Sequence, residues 1–581
     1  MNLIHPLRRL PGVLLTAIGA LASANTYAAT ITVNTVDDAI PPDTDGLCSL
    51  REALANASDD AATFADCPAG TGDDEITFAE SLFTSPPHVA TIQLSGELSA
   101  GYGAGEPHAL GIRPPVLGTL PGRVRLVASA TTEHRVMSVR ATASPFSMEG
   151  VSIEGGTRRM GHGGGVHLSS DDATFTEVQF IGNATSPMGA GGGLYQANGN
   201  GFLRLDKVQF SGNRAGRGGA IFLDEVGGHG VTVLDGYFDD NQAIVGRGGA
   251  IGFQVAANHP PEAEMPYLDI SSSVFTNNQA ATDGGAISVD AGTAGEAQRF
   301  VAYVSDSRLG NNEAGVGGAI RMRGAANNNL SSAILRRNSF LGNQATDGGG
   351  VATGQVFLAM ENNLFSANLA QHRGGSWFHS VSPDAQPLPA TVAGNTFHHS
   401  HLTPGLSRAV PLPATVAGNT FHAQSLTGSL PEGGGRSMWL DVDVSSFLSL
   451  SLVGNLFKPA AGLPPVGQEC QFLGPVSATG GYNLSPVHSC RLLDGDDLFA
   501  DPMVAVSVSD HPIHPLAVLP QPGSPAIDAW PSLPCSPLGS DLLGQPRPMD
   551  GDGDGDAHCD IGAFELSAAG TDLIFADDFE D

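Results

Sequence analysis

Lysine is almost missing from this chain. Of its 27 basic residues only Lys207 and Lys458 are lysines, against 59 acidic residues and a formal net charge of −32. Nucleic-acid binding rests largely on neutralising phosphates, so this balance excludes DNA and RNA as expected partners. The same repulsion disfavours acidic glycans unless divalent cations bridge them, and it keeps a large protein in solution. Charged residues make up only 15% of the chain while 41% are hydrophobic, which excludes a disordered polymer. Beyond the N-terminus no run is long and apolar enough to span a bilayer, so no transmembrane segment is expected in the mature chain. Cysteine is scarce, at six residues, with none between Cys67 and Cys470. The Cys-x-x-Cys spacings of zinc sites are absent, as are a Ser/His/Asp triad spacing, a phosphate loop and a His-rich zinc motif.

What is present begins with an export signal. Arg8 and Arg9 precede an apolar core from Gly12 to Ala22, and small residues at Ala28 and Ala29 offer a cleavage site, so residues 1–29 read as a signal peptide. In an exported chain the cysteines are expected to pair. They fall into neighbouring couples, Cys48 with Cys67, Cys470 with Cys490 and Cys535 with Cys559, expected to staple the two ends.

The body is repetitive. An apolar residue is followed three positions later by Asn, and then by Gly-Gly and an apolar run. The Asn positions are Asn183, Asn213, Asn241, Asn278, Asn312, Asn343 and Asn368, spaced 25 to 37 residues apart. The Gly-Gly-Ala-Ile form is complete at Gly218–Ile221, Gly248–Ile251, Gly284–Ile287 and Gly317–Ile320. A related Asn-x-Phe frame continues through Asn395, Asn419 and Asn455, and Pro387–His398 reappears unchanged as Pro411–His422. About thirty residues hold two or three short strands with their turns, which makes one coil. A coil cannot bury its own apolar face, so coils must stack about 4.8 Å apart. The expected fold is all-β, a right-handed single-stranded parallel β-helix with residues 145–460 as its body. Its Phe, Val and Ile point inward, the Asn residues take the left-handed bends and form a hydrogen-bonded amide ladder, and the paired glycines allow positive φ.

These Gly-Gly-Ala-Ile and Phe-x-x-Asn repeats resemble those of chlamydial polymorphic outer-membrane proteins, of the pectin-lyase-like β-helix group. The resemblance covers about half the chain. Residues 30–144 are expected to hold an N-terminal cap and the first coils. There, Cys48-Ser-Leu-Arg-Glu-Ala-Leu54 is similar to the CSLREA motif of exported bacterial β-helix proteins, with Ser49 and Glu52 forming a capping box. Arg51 and Glu52 are read as cap residues. Residues 461–566 resemble the choice-of-anchor Q family through Gly481–Leu484, Leu498–Pro502, Gly523–Asp528, Gln545–Pro548 and Cys559–Glu565. That resemblance implies attachment at a cell surface and no reaction. Residues 567–581 form an acidic tail, similar to a short sorting signal of some Gram-negative bacteria.

Candidate chemistry is sparse. Asp550, Asp552, Asp554, Asp556 and Asp560 are spaced by glycines like a calcium loop whose twelfth position carries Ile561 in place of an acid, leaving calcium and a solvated acidic turn both open. Gly-His-Gly triplets at His162 and His229, with Asp239 and Asp240 close after the second, loosely match a polygalacturonase set, but their order is inverted and half the set is missing. Arg217 and Arg247 precede Gly-Gly in adjacent repeats and are expected to stack into a small basic strip or a solvated turn decoration. Function is therefore expected to be binding, by adhesion, glycan contact or envelope structure, with a polysaccharide or cell-surface ligand. A polysaccharide lyase or hydrolase is the alternative. The expected location is outside the cell or on the outer-membrane surface of a Gram-negative bacterium.

Overall fold

A computed structural model describes residues 29–42, 44–84, 86–101, 106–118, 120–197, 201–226, 230–255, 265–292, 299–325, 331–379, 388–398, 413–422, 438–441, 448–458, 470–473, 476–486, 496–508, 515–531 and 539–567. Residues 1–28 of the expected signal peptide, His229, Cys490, Cys535 and the acidic tail beyond residue 567 lie outside the described residues, and Cys470 is described by its backbone alone.

One coil shows how the chain is used. Tyr267–Ser271, Val274–Thr276, Gln279–Ala280 and Ile287–Asp290 each pair in parallel with the equivalent strand of the following coil, beginning at Val301, Arg308, Glu313 and Ile320. Repetition of this step builds a first and a second sheet of 15 strands each, a third sheet of 10, and a narrow sheet of 8 between the second and third. This is a parallel β-helix. Fifteen strands at about 4.8 Å give a rod of roughly 70 Å. Pairing starts at Ala29–Val33 and continues past residue 460, as far as Leu498–Phe499.

Two stacked columns of side chains run through the interior among its buried Val, Ile and Leu. Phe180, Phe210, Phe238 and Phe275 stack face to face with ring centroids 4.4 to 5.1 Å apart. After Leu309 the stack resumes at Phe340 and runs to Phe457. At the next corner the repeat asparagines are fully buried or nearly so, and each amide reaches the one above. Nδ2 of Asn241 donates to Oδ1 of Asn278 at 3.0 Å, as does its backbone N–H at 3.1 Å, while Nδ2 of Asn278 donates to Phe238 O and Asn312 Oδ1. A second ladder of Asn338, Asn363, Asn395, Asn419, Asn455 and Asn483 lines the corner between the first two sheets.

The expectation that the repeat asparagines themselves take the left-handed bend is corrected. Positive φ falls on the residue before each one: Gly182, Gly212, Asp240, Asn277, Asn311, Gly342 and Ala367. Placing the bend one residue earlier turns the Asn side chain inward, where its amide serves the ladder. At the Gly-Gly corner both glycines are required. Gly284 has φ of 62°, and a Cβ on Gly285 would collide with the carbonyl of Gly318.

The N-terminal end is capped. Helix Leu50–Asp59 starts at Ser49 with the reciprocal Ser49–Glu52 capping box. It buries Leu50, Ala53, Leu54 and Ala57 and packs against Ala29–Val33, Asp74–Phe78 and Leu98–Ala100. A Cys48–Cys67 disulfide, Cα atoms 4.8 Å apart, ties its start to the following loop. Arg51 forms a two-point pair with Asp38 and donates to the carbonyls of Gly96 and Glu97, so it is a positioning residue of the cap.

The C-terminal region does something different from a cap: it folds back along the flank of the rod. The antiparallel hairpin Val504–Val508 and Leu516–Pro520 packs through Ala517 and Val518, with Leu542 and Phe564, on Leu364 of the second sheet. Trp530 and Ile561 pack on Ala417, Leu456 and Leu484. Polar ties fix the register, from Asn362 Nδ2 to the carbonyls of Ser540 and Asp541 at 3.0 Å and from Ala563 N to Thr420 Oγ1 at 2.9 Å. Cys559, within this clasp, is disulfide-bonded.

The ladder makes a sharp stability prediction. Asn278→Ala strands the donors of Asn241 and the carbonyl of Phe238, so it is expected to cost about 3 kcal/mol. Gln279→Ala beside it is expected to change stability by about 0.5 kcal/mol or less. Urea midpoints of the two variants check this, and equal effects would contradict a register-setting ladder.

Candidate functional site

The narrow sheet carries a concavity. Each of its strands is very short, because the chain turns a corner directly after the ladder Asn. Three successive residues follow the ladder Asn in each coil, and the middle one is buried every time. The middle column is alanine: Ala215, Ala243, Ala280, Ala314, Ala345 and Ala370, none more than 9% exposed. Its small side chains leave a trough of about 530 Å³ running along the rod. One wall is the column Arg214, Gln242, Gln279, Glu313, Gln344 and Leu369, and the other includes Ile244, Ala281, Gly315, Thr346 and Gln371. Backbone pairing holds these columns in register, and Gln242 Nε2 donates to Gln279 Oε1 at 3.3 Å. One guanidinium and one carboxylate, Arg214 and Glu313, are the charges among the described lining, so the trough is neutral in a strongly acidic chain.

The residues singled out from sequence lie elsewhere. Arg217 and Arg247 are in register on adjacent coils, as the spacing implies, but neither is a free surface cation. The Arg217 guanidinium lies 4.7 Å from the centroid of the Phe222 ring, and Arg247 is ion-paired with Asp290. Burial lowers the Arg247 pKa from its ordinary value. The strip ends at the next coil, where the equivalent position is Asp283. Asp239 accepts from Thr276 Oγ1 and Asn277 Nδ2, both at 2.9 Å, tying one coil to the next. Asp240 occupies a left-handed turn at φ 53°. His162 accepts from Ala190 N and stacks on Tyr195, with centroids 4.4 Å apart. These positions serve inter-coil contacts.

In the aspartate-rich loop, two of the five candidates converge, and with a different third residue. Carboxylate oxygens of Asp528, Asp550 and Asp552 lie within 4.8 Å of one another. Asp554 and Asp556 sit on the exposed stretch, where Asp554 Oδ1 accepts the N–H of Asp556. Asp560 is fully buried and accepts from the backbone N–H groups of Asp528 and Leu566, so it is part of the clasp interior. Around it Arg547 and Glu565 form a buried pair at 2.8 Å, and Asp541 accepts three backbone N–H groups. Burial pushes Asp560 up to about 8 and Asp541 up to about 6.

Sequence reasoning missed both the trough and Asp528. The trough has a signal: the ladder Asn is followed by Gln-Ala at Asn241, Asn278 and Asn343, by Glu-Ala at Asn312, by Arg-Ala at Asn213 and by Leu-Ala at Asn368. Asp528 ends the Gly523–Asp528 block. Its Oδ2 accepts from Gly551 and Asp552, 23 and 24 residues onward, and no local spacing reports that.

The raised Asp541 pKa gives a pH dependence. A carboxyl whose folded value lies above its ordinary value near 3.8 favours the folded state below that value, and loses the advantage as pH rises through about 6. Asp541 is expected to contribute a loss of about 3 kcal/mol over that window, with Asp560 adding to it in the same direction up to about 8, so Asp541→Asn is expected to reduce the slope without abolishing it. Melting of the clasp between pH 4 and 7, with a chelator present, checks the sign; a clasp that strengthens over this range would contradict it.

Comparison with family models matches residues 207–224 and 272–290 to the Chlamydia polymorphic membrane protein (Chlamydia_PMP) repeat. Each matched stretch runs from a second-sheet strand through the ladder Asn to a third-sheet strand. Among curated proteins and among solved structures, nothing matches. Two coils of this β-helix are therefore similar to the repeat of that membrane-protein family.

Proposed function

We propose that this chain is a surface-displayed binding rod that holds an extended, uncharged polysaccharide strand in the trough over the narrow sheet. The observation that carries the reading is the trough itself. It presents amide donors and acceptors at a fixed step of about 4.8 Å over an apolar floor, which suits a polymer with regularly spaced hydroxyls. Its neutrality favours an uncharged chain over a polyanion. Two-carboxylate hydrolysis needs a facing pair of acids, and Glu313 is the one acid among the described lining residues, so binding is favoured over cleavage. The membrane-protein repeat supports a location at the cell surface. Among the described residues no helix is long and apolar enough to cross a membrane.

The disulfide and capped helix of the first coil suit an exported protein. The same reading covers the resemblance of both ends to the CSLREA and choice-of-anchor Q regions. Calcium belongs to it as a stabiliser of the clasp loop, held by Asp528, Asp550 and Asp552 and distant in role from ligand contact.

Retention of the full chain on immobilised neutral polysaccharides, with and without calcium, tests the reading. Gln242→Ala and Gln279→Ala together are expected to weaken retention about tenfold while leaving the melting temperature unchanged. Ala280→Leu, which fills the floor, is expected to abolish it. Retention indifferent to all three changes, or release of new reducing ends, would contradict the proposal. Calcium is expected to raise the melting temperature of the clasp, and Asp552→Asn to remove that rise.

A further inference from the structure

Beyond the far wall of the trough the chain turns into the third sheet, and there three arginines of this acidic protein gather. Asp283 follows the trough residue Ala281 by two positions and bridges to Val316, next to Gly315. In the two strands that follow, Ser288 stands opposite Arg321 and Asp290 opposite Arg323. Arg247, from the turn of the preceding coil, completes the group.

The charges in this group do not balance. Asp290, 7% exposed in its side chain, is taken by two partners. Arg323 binds it in a fork, Nε to Oδ1 at 3.2 Å and Nη2 to Oδ2 at 2.8 Å, and Arg247 is ion-paired with the same carboxylate. Asp283, more open to solvent, is left for Arg321, and the approach is long: Nε lies 4.0 Å from Oδ1. The Arg321 side chain is only 12% exposed, yet its Nη1 has no hydrogen-bond partner among the described residues. It stands in a row with Ser288 and Ala352, which are 1% and 0% exposed. Among the described residues three guanidinium groups thus share two carboxylates. A sequestered guanidinium with an unused N–H is costly unless an acceptor reaches it, and its planar fork is best matched by the two oxygens of a carboxylate.

We propose that Arg321, flanked by Arg247 and Arg323, is a seat for a carboxylate carried by a ligand from outside the chain. The seat is separate from the trough and does not depend on what the trough holds. One carboxylate supplies the missing negative charge at the part of the Arg321 side chain that remains open to solvent. The same chemistry is offered by a free small carboxylate and by the acid group of a uronic sugar, and the two are separable by experiment.

Thermal melts and titration calorimetry of the full chain with sodium acetate, sodium glucuronate, glucose, and sodium chloride at matched ionic strength test this. Glucuronate or acetate is expected to raise the melting temperature above the chloride control, whereas glucose is not. Equal effects per mole identify a seat for free carboxylates, and a stronger effect of glucuronate identifies a sugar acid. Arg321→Gln is expected to weaken binding about tenfold or more. Arg159→Gln, at an exposed arginine paired with Glu133, is expected to leave it unchanged. Without ligand, Arg321→Met is expected to melt no lower than the parent, because it removes an unmet buried charge. A carboxylate response no larger than chloride's, or one that survives in Arg321→Gln, would overturn the proposal. So would a ligand-free Arg321→Met that melts well below the parent, since that result makes Arg321 a structural ion-pair partner. Arg323→Gln, at a more exposed position, provides a second reading if Arg321→Gln does not fold.

Discussion

The buried Asn-to-Asn hydrogen bond is the contact on which the rest of this molecule depends. Apolar stacking favours coils lying on coils but has no strong preference for register, because a phenylalanine packs on a leucine nearly as well as on another phenylalanine. A buried amide is different. Its donors and acceptor must all be met, and leaving one unmet costs as much as a hydrogen bond contributes. Asn213, Asn241, Asn278 and Asn312 meet each other at 3.0 Å, with the backbone closing the remaining valences. A coil slipped by two residues would face the buried amide of Asn241 with the methyl group of Ala280. The ladder therefore sets the register for everything outside it.

What that register produces is a set of straight columns on the surface. The alanine floor and the glutamine wall of the trough follow directly from the residues after each ladder Asn, with no separate folding signal. The arginines of the third sheet follow in the same way. Arg247, Asp283, Asp290, Arg321 and Arg323 are scattered through 77 residues of sequence and meet because three coils are held in step. The clasp uses the same regularity from the other side, laying Trp530 and Phe564 along the outer face of the second sheet over several coils.

Much of this was legible in the sequence wherever the pattern repeats locally. Phe-x-x-Asn and Gly-Gly-Ala-Ile identify the coil, the ladder and the stacked interior, and Ser49 with Glu52 identifies the capped helix. The position of the bend was misplaced by one residue, because Asn is at home both in left-handed turns and in ladders, and the pattern alone does not separate the two roles. The trough was passed over because a two-residue strand has no periodicity of its own, though Asn-Gln-Ala repeats in plain view. The clasp was illegible for another reason. Its ties join Asn362 to Asp541 and Thr420 to Ala563, across 179 and 143 residues, and nothing local records such a contact. For Arg217 and Arg247 the sequence offers a basic strip or a solvated turn decoration, because it shows their spacing and not Phe222 and Asp290, which occupy them.

The central claim is that in-register columns over the narrow sheet form the ligand surface. Hydrogen–deuterium exchange of the full chain, with and without a saturating neutral polysaccharide that the protein retains, tests it most directly. The account predicts slowed exchange in successive coils at 242–244, 279–281, 313–315 and 344–346, repeating with the coil period and leaving the clasp unchanged. Protection confined to the clasp, or to the outer face of the first sheet around Tyr303 and Phe357, with the trough exchanging as in the free protein, would contradict it.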